Sequence, residues 1–230
     1  TVRTDARRRM KCWLIIPVKR LSAAKSRLAA KLTLGQRREL VCSLLSHTLK
    51  DLEKVKGIGG KIVVGKDRAV RRIAENLGAV FVPEKPHDGL NRALARAARE
   101  AVRRGAQAIM ILPADLPLVK KGDIAAALNG AGRPPFLRIA PDRAGVGTNL
   151  LLMAPPGLIR FSFGDRSYRR HITAARKAGA KIFEIRRAAL AEDLDRPEDL
   201  VRVYDGVLRK STKGTQGNLQ KTRKKRKINY

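Results

Sequence analysis

Aromatic residues are scarce, at 4% of the 230-residue chain, and that removes the stacking platforms with which proteins grip single-stranded nucleic acid. Only two cysteines are present, Cys12 and Cys42, one in a strand-like run and one on the apolar side of a helical pattern. They fit buried reduced thiols and exclude a disulfide frame. The three histidines, His47, His87 and His171, lie far apart without ligand spacing, so a zinc site has no support. No apolar run approaches the ~18 residues needed to cross a bilayer. The basic N-terminus lacks the apolar stretch of a secretory signal, since Met10 and Lys11 lead straight into a strand-length run; a soluble cytoplasmic protein without membrane contact is expected. Neither G-x-G-x-x-G nor G-x-x-x-x-G-K-[ST] occurs, which argues against dinucleotide enzymes and P-loop ATPases. No Ser/His/Asp or Cys/His nucleophile pattern, helix-turn-helix or finger is found either.

Acidic residues are also few: 20 Asp and Glu stand against 51 Lys and Arg, for a formal net charge of +31. Nine basic residues and no acidic one fall between Arg209 and Tyr230, which reads as a disordered basic tail. A basic arm precedes the first strand. The region between keeps a surplus that suits a polyanion: nucleic acid, or a nucleoside triphosphate with a phosphorylated co-substrate, against the plainer reading of a solvated basic surface.

The pattern along the chain is an alternation of strands and helices. Apolar, β-branched Cys12–Val18 opens it as a buried strand. A helix starts at Thr33 with Gln36 completing a capping box, and carries Val41, Leu44, Leu45, Leu49, Leu52 and Val55 at helical spacing. Lys61–Val64 is a strand; Asp67 caps a helix that Gly78 ends; Ala79–Val82 is a third strand. A helix over 90–104 stops at Gly105, and Gln107–Leu112 is another buried strand. This spacing predicts an α/β fold, a doubly wound and mostly parallel sheet with helices on both faces. After Gly132 the rhythm changes. Phe136–Ala140 and Asn149–Ala154 read as a hairpin, a small antiparallel extension on the substrate side. A helix over 167–178, a strand over 181–185 and a last helix over 195–208 complete the reading.

Several loops carry residues suited to phosphate chemistry. Asp142–Asn149 (DRAGVGTN) and Phe163–His171 (FGDRSYRRH) read as anion cradles, with glycine backbone, the hydroxyls of Thr148 and Ser167, and a helix N-terminus. Each alone is also what a Gly turn and a Ser N-cap look like. His171 shares a helix face with Ser167, as a helper to binding or as an ordinary core or surface histidine. In an open α/β sheet, ligands bind beyond the carboxyl ends of the strands. There Lys19, Lys25 and Arg27 offer charge to a triphosphate, or form a solvated basic loop. Asp115 follows a strand, suited to Mg2+ or to a turn between prolines. Asp193 and Asp195 alternate on one side of an extended segment, where two carboxylates repel unless a cation lies between them. Asp195 also fits as N-cap of the last helix, with Glu198 completing a capping box. The loop Pro83–Asn91 is the candidate to read the base, through its backbone groups and Asn91 at the start of the next helix.

Taken in order, PVKRLSAAKSRL, Gly89-Leu90-Asn91, ADLPL from Ala114, PDRAGVGTNLLL from Pro141, FGDRSYRRH and DLDRPEDL from Asp193 resemble the 2-phospho-L-lactate or phosphoenolpyruvate guanylyltransferase family of coenzyme F-420 biosynthesis. This family is a branch of the MobA-like nucleotidyltransferases. The resemblance runs from about Met10, read as the natural start, to Leu208. It implies a basic arm over 1–10, a nucleotidyltransferase domain over 11–208 and an added tail over 209–230. It also implies that Thr148, Gly164 and Ser167 hold the small phosphorylated acid and that Asp115, Asp193 and Asp195 bind Mg2+. The Lys25 loop would meet GTP, with Lys25 and Asp115 as the catalytic pair and a homodimer as the assembly. The readings outside this one are a basic nucleic-acid-binding protein, and a related nucleotidyltransferase acting on a sugar phosphate or molybdopterin.

Overall fold

A computed structural model describes residues 10–200 other than 24, 87 and 130–132. The basic arm, the basic tail, His87, Gly132 and the last predicted helix beyond residue 200 therefore lie outside the described residues. Strand β1 (Cys12–Pro17) is apolar on both sides because both faces of the sheet are covered. Cys12, Leu14 and Ile16 enter one core, while Trp13 and Ile15 enter the other. The first core is closed by α1 (Leu34–Asp51) and α2 (Arg68–Asn76), through Val41, Leu45, Leu49, Val70 and Ala74. The second is closed by α3 (Leu90–Arg103), whose Ala93, Ala97 and Ala101 let the helix lie close to the strands. Each fully buried Leu or Ile in these layers contributes ~1.5–3 kcal/mol.

β1 pairs in parallel with β2 (Ile58–Gly65) on one side and β4 (Ala108–Ile111) on the other, and β2 with β3 (Val80–Pro83). The hairpin expected after residue 132 exists as β5 (Phe136–Pro141) and β6 (Thr148–Ala154). It is built into the main sheet rather than set beside it. β6 docks antiparallel against β4, and β7 (Lys181–Glu184) extends the sheet parallel to β5, giving the seven-strand order β3-β2-β1-β4-β6-β5-β7. All strands but β6 run the same way, so the doubly wound, mostly parallel reading holds. The placement of β6 has a consequence: its N-terminal end, at Thr148, lies beside the carboxyl ends of β1 and β4.

The predicted capping box of α1 is present, with Thr33 Oγ1 accepting from the Gln36 N–H and the Gln36 side chain accepting from the Thr33 N–H. Helix α5 (Ser167–Lys177) also starts where its pattern begins. The sequence reading missed α4 (Lys121–Leu128) and the single turn α6 (Ala188–Ala191). The first is short, carries Gly122 in its first turn and three consecutive alanines after Ile124, so it shows little periodicity. It is fixed instead by Asp123, whose carboxylate accepts from the Lys120 N–H and from Arg187. Both cysteines are free; burial pushes the Cys12 thiol up to about 12, which keeps it protonated and inert.

Candidate active site

The carboxyl ends of β1, β2, β3 and β4, the start of β6 and the start of α5 surround one cavity of about 460 Å3. Residues expected from five separate stretches meet there: Lys19, Lys25, Asp115, Thr148, Gly164, Ser167, Asp193 and Asp195. Lys25 stands at its centre. Its side chain is only 7% exposed, and Nζ donates to Asp115 Oδ2 at 2.8 Å and lies 3.6 Å from Asp195 Oδ1. The backbone of Lys25 takes a left-handed conformation, φ 51°, to aim the side chain inward. For a non-glycine residue that costs ~1–2 kcal/mol, which the paired ammonium offsets. Arg27 stands at the rim, largely exposed, and its Nη1 donates to Asp195 Oδ2 at 2.8 Å.

Asp115 and the Asp193–Asp195 segment are tied through the backbone, the Leu194 N–H donating to the Asp115 carbonyl at 3.0 Å. Burial, followed by the negative charge of Asp115 and then that of Asp195 and Asp199, holds the Asp193 carboxyl above its ordinary range. The alternative role of Asp195 as a capping residue is corrected. The Asp195 carboxylate faces the two cations instead, and the residue that reaches back over the turn is Asp199 rather than Glu198, accepting from the N–H groups of Asp195 and Arg196 at 2.9 and 2.6 Å. Among the described residues no three His, Cys, Asp or Glu side chains already stand at the spacing of a metal-ligand cluster. The cation between Asp115 and Asp195 is the Lys25 ammonium.

On the β6 side, Thr148, Ser167 and His171 are buried. His171 Nε2 accepts from the Ser162 N–H at 3.0 Å, so that nitrogen carries no proton and the neutral ring bears it on Nδ1. Nδ1 is 3.2 Å from Thr148 Oγ1 and donates to it, leaving the threonine O–H free to donate into the cavity. Burial lowers the His171 pKa from 6.5 to about 4, in keeping with a neutral ring. His171 is thus a core histidine that orients Thr148. Ser167 occupies the first turn of α5, behind Gly164 at φ 118° and Arg166 at φ 50°. The Ser167 and Tyr168 N–H groups are taken by the carbonyls of Gly164 and Val146, at 3.2 and 3.1 Å, so what this helix start offers an anion is the Ser167 hydroxyl and the positive end of the helix.

Two expectations need correction. The first glycine stretch holds its own anion, for Asp142 accepts from the Val146 and Gly147 N–H groups at 2.9 and 2.8 Å. Only its end, Gly147 to Asn149, lines the cavity. Asn91 does not line it: Nδ2 donates to the Phe163 carbonyl at 3.0 Å and Oδ1 accepts from the Phe163 N–H at 2.8 Å. Its amide holds the loop that carries Gly164 and Ser167. Lys66 and Glu84 line the cavity as an ion pair of 3.1 Å; neither is singled out by the sequence, although Glu84 falls within the Pro83–Asn91 loop expected to read the base. The one signal that could have found them is their position just past β2 and β3.

A doubly wound sheet with a phosphate-suited cavity beyond its strand ends is the arrangement of a nucleotidyltransferase, and solved structures agree on the fold. A nucleotidyl transferase from Methanothermobacter thermautotroptrophicus superposes with a TM-score of 0.63 at 20% identity, over 87% of this chain and 99% of that one. The chain belongs to the family described as guanylyl transferase CofC like, which matches residues 12–225. It is 42% identical over 194 residues to the phosphoenolpyruvate guanylyltransferase of Rubrobacter xylanophilus, covering 84% of this chain and 94% of that protein. The enzyme of the same name from Sphaerobacter thermophilus is 41% identical over 189 residues, covering 81% and 89%. The family, rather than the basic charge, decides between an enzyme and a nucleic-acid-binding protein. Among the described residues no helix is long and apolar enough to cross a membrane.

Proposed function

We propose that this chain joins GMP from GTP to a small phosphorylated three-carbon acid, phosphoenolpyruvate or 2-phospho-L-lactate, and releases pyrophosphate in coenzyme F-420 biosynthesis. The observation that carries the reading is the convergence of Lys25, the three aspartates and the Thr148 and Ser167 hydroxyls on one cavity. The relatives, both phosphoenolpyruvate guanylyltransferases, favour phosphoenolpyruvate as acceptor.

An oxygen of the acceptor phosphate attacks the α-phosphorus, a new P–O bond forms, and the α–β anhydride bond breaks with its electrons leaving on pyrophosphate. No strong base is needed, because a phosphate monoester with a second pKa near ~6 is largely dianionic at pH 7. The difficulty is to bring two anions together in line. Thr148, Ser167 and the Gly164 backbone hold the acceptor phosphate against the start of α5. Lys25 faces the transferred phosphate, where a fixed positive charge counts most in the transition state, while Lys19 and the rim guanidinium of Arg27 draw in the triphosphate. Asp115, Asp193 and Asp195 all line the cavity without standing at ligand spacing, and Mg2+ needs only one or two carboxylates and completes its shell with phosphate and water, so these oxygen donors would hold it beside the bound phosphates. Such an ion, when bound, neutralises charge on the phosphates. We take residues 11–208 as the working domain, the cytoplasm as its location and the homodimer as its assembly.

The test is pyrophosphate release from GTP and Mg2+ with phosphoenolpyruvate, 2-phospho-L-lactate and 3-phosphoglycerate, with the mass of each product measured. Release with one of the first two is expected, and its loss in Asp115→Asn with acceptor binding kept. No release with any acceptor refutes the reading.

A further inference from the structure

Lys66 and Glu84 are not used by the steps above, yet they line the same cavity as Lys25. They follow adjacent parallel strands, and the Glu84 N–H donates to the Gly65 carbonyl at 2.8 Å, which fixes one to the other. The Glu84 carboxylate is mostly buried, 18% exposed, and Lys66 Nζ lies 3.1 Å from its Oε1. In the strand order this pair stands at the β2–β3 end, with Lys25 and Asp115 next to it around β1 and β4, and Thr148 at the far end on β6. If the acceptor occupies the β6 end and the triphosphate the middle, the β2–β3 end is left for the base. Val64 and Leu90 line the cavity as well, supplying apolar surface suited to a planar ring.

We infer that Lys66 and Glu84 read the guanine of GTP, the ammonium donating to O6 and the carboxylate accepting from N1–H and the exocyclic amino group. The inference rests on the proposed guanylyl transfer and adds the residues that select the base. Guanine offers an acceptor beside two donors, which matches an ammonium beside a carboxylate. Adenine offers the reverse at the same two places, an amino group toward the lysine and a bare ring nitrogen toward the glutamate. Both contacts would become repulsive, and sites built to hydrogen-bond a substrate's polar edge discriminate strongly.

The experiment compares kcat/KM for GTP, inosine triphosphate and ATP in the unaltered enzyme, Glu84→Ala and Lys66→Met, with thermal midpoints to confirm folding. Inosine keeps O6 and N1–H and lacks the amino group. The unaltered enzyme should prefer GTP to inosine triphosphate by about tenfold or more, the value of one hydrogen bond to a charged group. Glu84→Ala should bring that ratio near one while lowering GTP use by about a hundredfold. Lys66→Met should lower GTP and inosine triphosphate together, by about tenfold, with their ratio kept. A folded Glu84→Ala protein with the original ratio overturns the inference, and so does a Lys66→Met protein that uses both nucleotides as before. If Glu84→Ala does not fold, the Lys66→Met result decides alone. Failure of the guanylyl reading shows separately, as absence of turnover of GTP by the unaltered enzyme.

Discussion

Lowering the pH should weaken this fold through one imidazole. His171 is fully buried, its Nε2 accepts a backbone N–H and its Nδ1 faces Thr148, with the Phe163 ring edge-on at 4.8 Å between centroids. A proton added to Nε2 would oppose two donors, the imidazolium and the Ser162 N–H, at a fully buried position. The folded pKa, about 4, lies below the 6.5 of an unperturbed histidine. The unfolded chain therefore takes up the proton first. Stability from this group is complete above pH 6.5 and declines as the pH falls from there to about 4, below which both states are protonated and the loss stops. At ~1.4 kcal/mol per pKa unit the whole decline is about 3 kcal/mol, a large share of the ~5–15 kcal/mol that holds a domain together.

The assay is urea unfolding from pH 7.5 down to 4 on the parent and on His171→Gln, which keeps a donor and an acceptor on the side chain and cannot titrate. Carboxylates and the other histidines contribute to both proteins and cancel. The difference in unfolding free energy should slope by about one proton between the two pKa values, ~1.4 kcal/mol per pH unit, and be flat above them. Parallel curves across the whole range, or a His171 ring resonance that titrates near 6.5, would refute the argument and with it the tautomer that frees the Thr148 hydroxyl.

Two substitutions separate loop architecture from nucleotide contact. Asn91→Ala removes both hydrogen bonds to Phe163 and should cost ~1–3 kcal/mol of stability. KM for the acceptor should rise while KM for GTP stays close to the parent; a change confined to GTP would return Asn91 to the base. Gly147→Ala places a Cβ 2.5 Å from Asp142 Oδ2, which is itself held by the Gly147 N–H, so the turn has to shift. A loss of ~1–2 kcal/mol in urea unfolding and a weaker acceptor KM are expected, and an unchanged protein would show that the turn is not fixed by this carboxylate.

The parts of the molecule legible in the sequence are those whose cause is local. The apolar runs of β1 and β4 announce buried strands because few other structures tolerate such runs at that length, and the Thr33–Gln36 capping box announces α1 through its own two hydrogen bonds. A helix such as α4, whose local mark is Asp123 accepting from the N–H of a lysine and which Arg187 holds from across the fold, does not announce itself in this way. Neither does the insertion of β6 between β4 and β5. That insertion is nonetheless what brings Thr148 to the strand ends that carry Lys25 and Asp115.

The same distinction explains why the residues proposed to handle phosphate stand out in the sequence and the proposed base-reading pair does not. Hydroxyls, glycines and carboxylates gathered in short stretches reveal a task, since each stretch holds more than one group suited to it. Polar groups near one another in sequence can also satisfy one another, as Asp142 does with Val146 and Gly147, and as Asp199 does with Asp195 and Arg196. Whether a group is spent or available is decided by the nearest partner that the fold supplies. For Asn91 that partner is the Phe163 backbone, 72 residues away, and it takes both ends of the amide. For Lys66 and Glu84 the partner is each other, an ion pair whose polarity a guanine edge can match. A base reader can thus lie in two residues 18 apart that form no motif, because its pattern belongs to the parallel pairing of β2 and β3 and to neither loop alone.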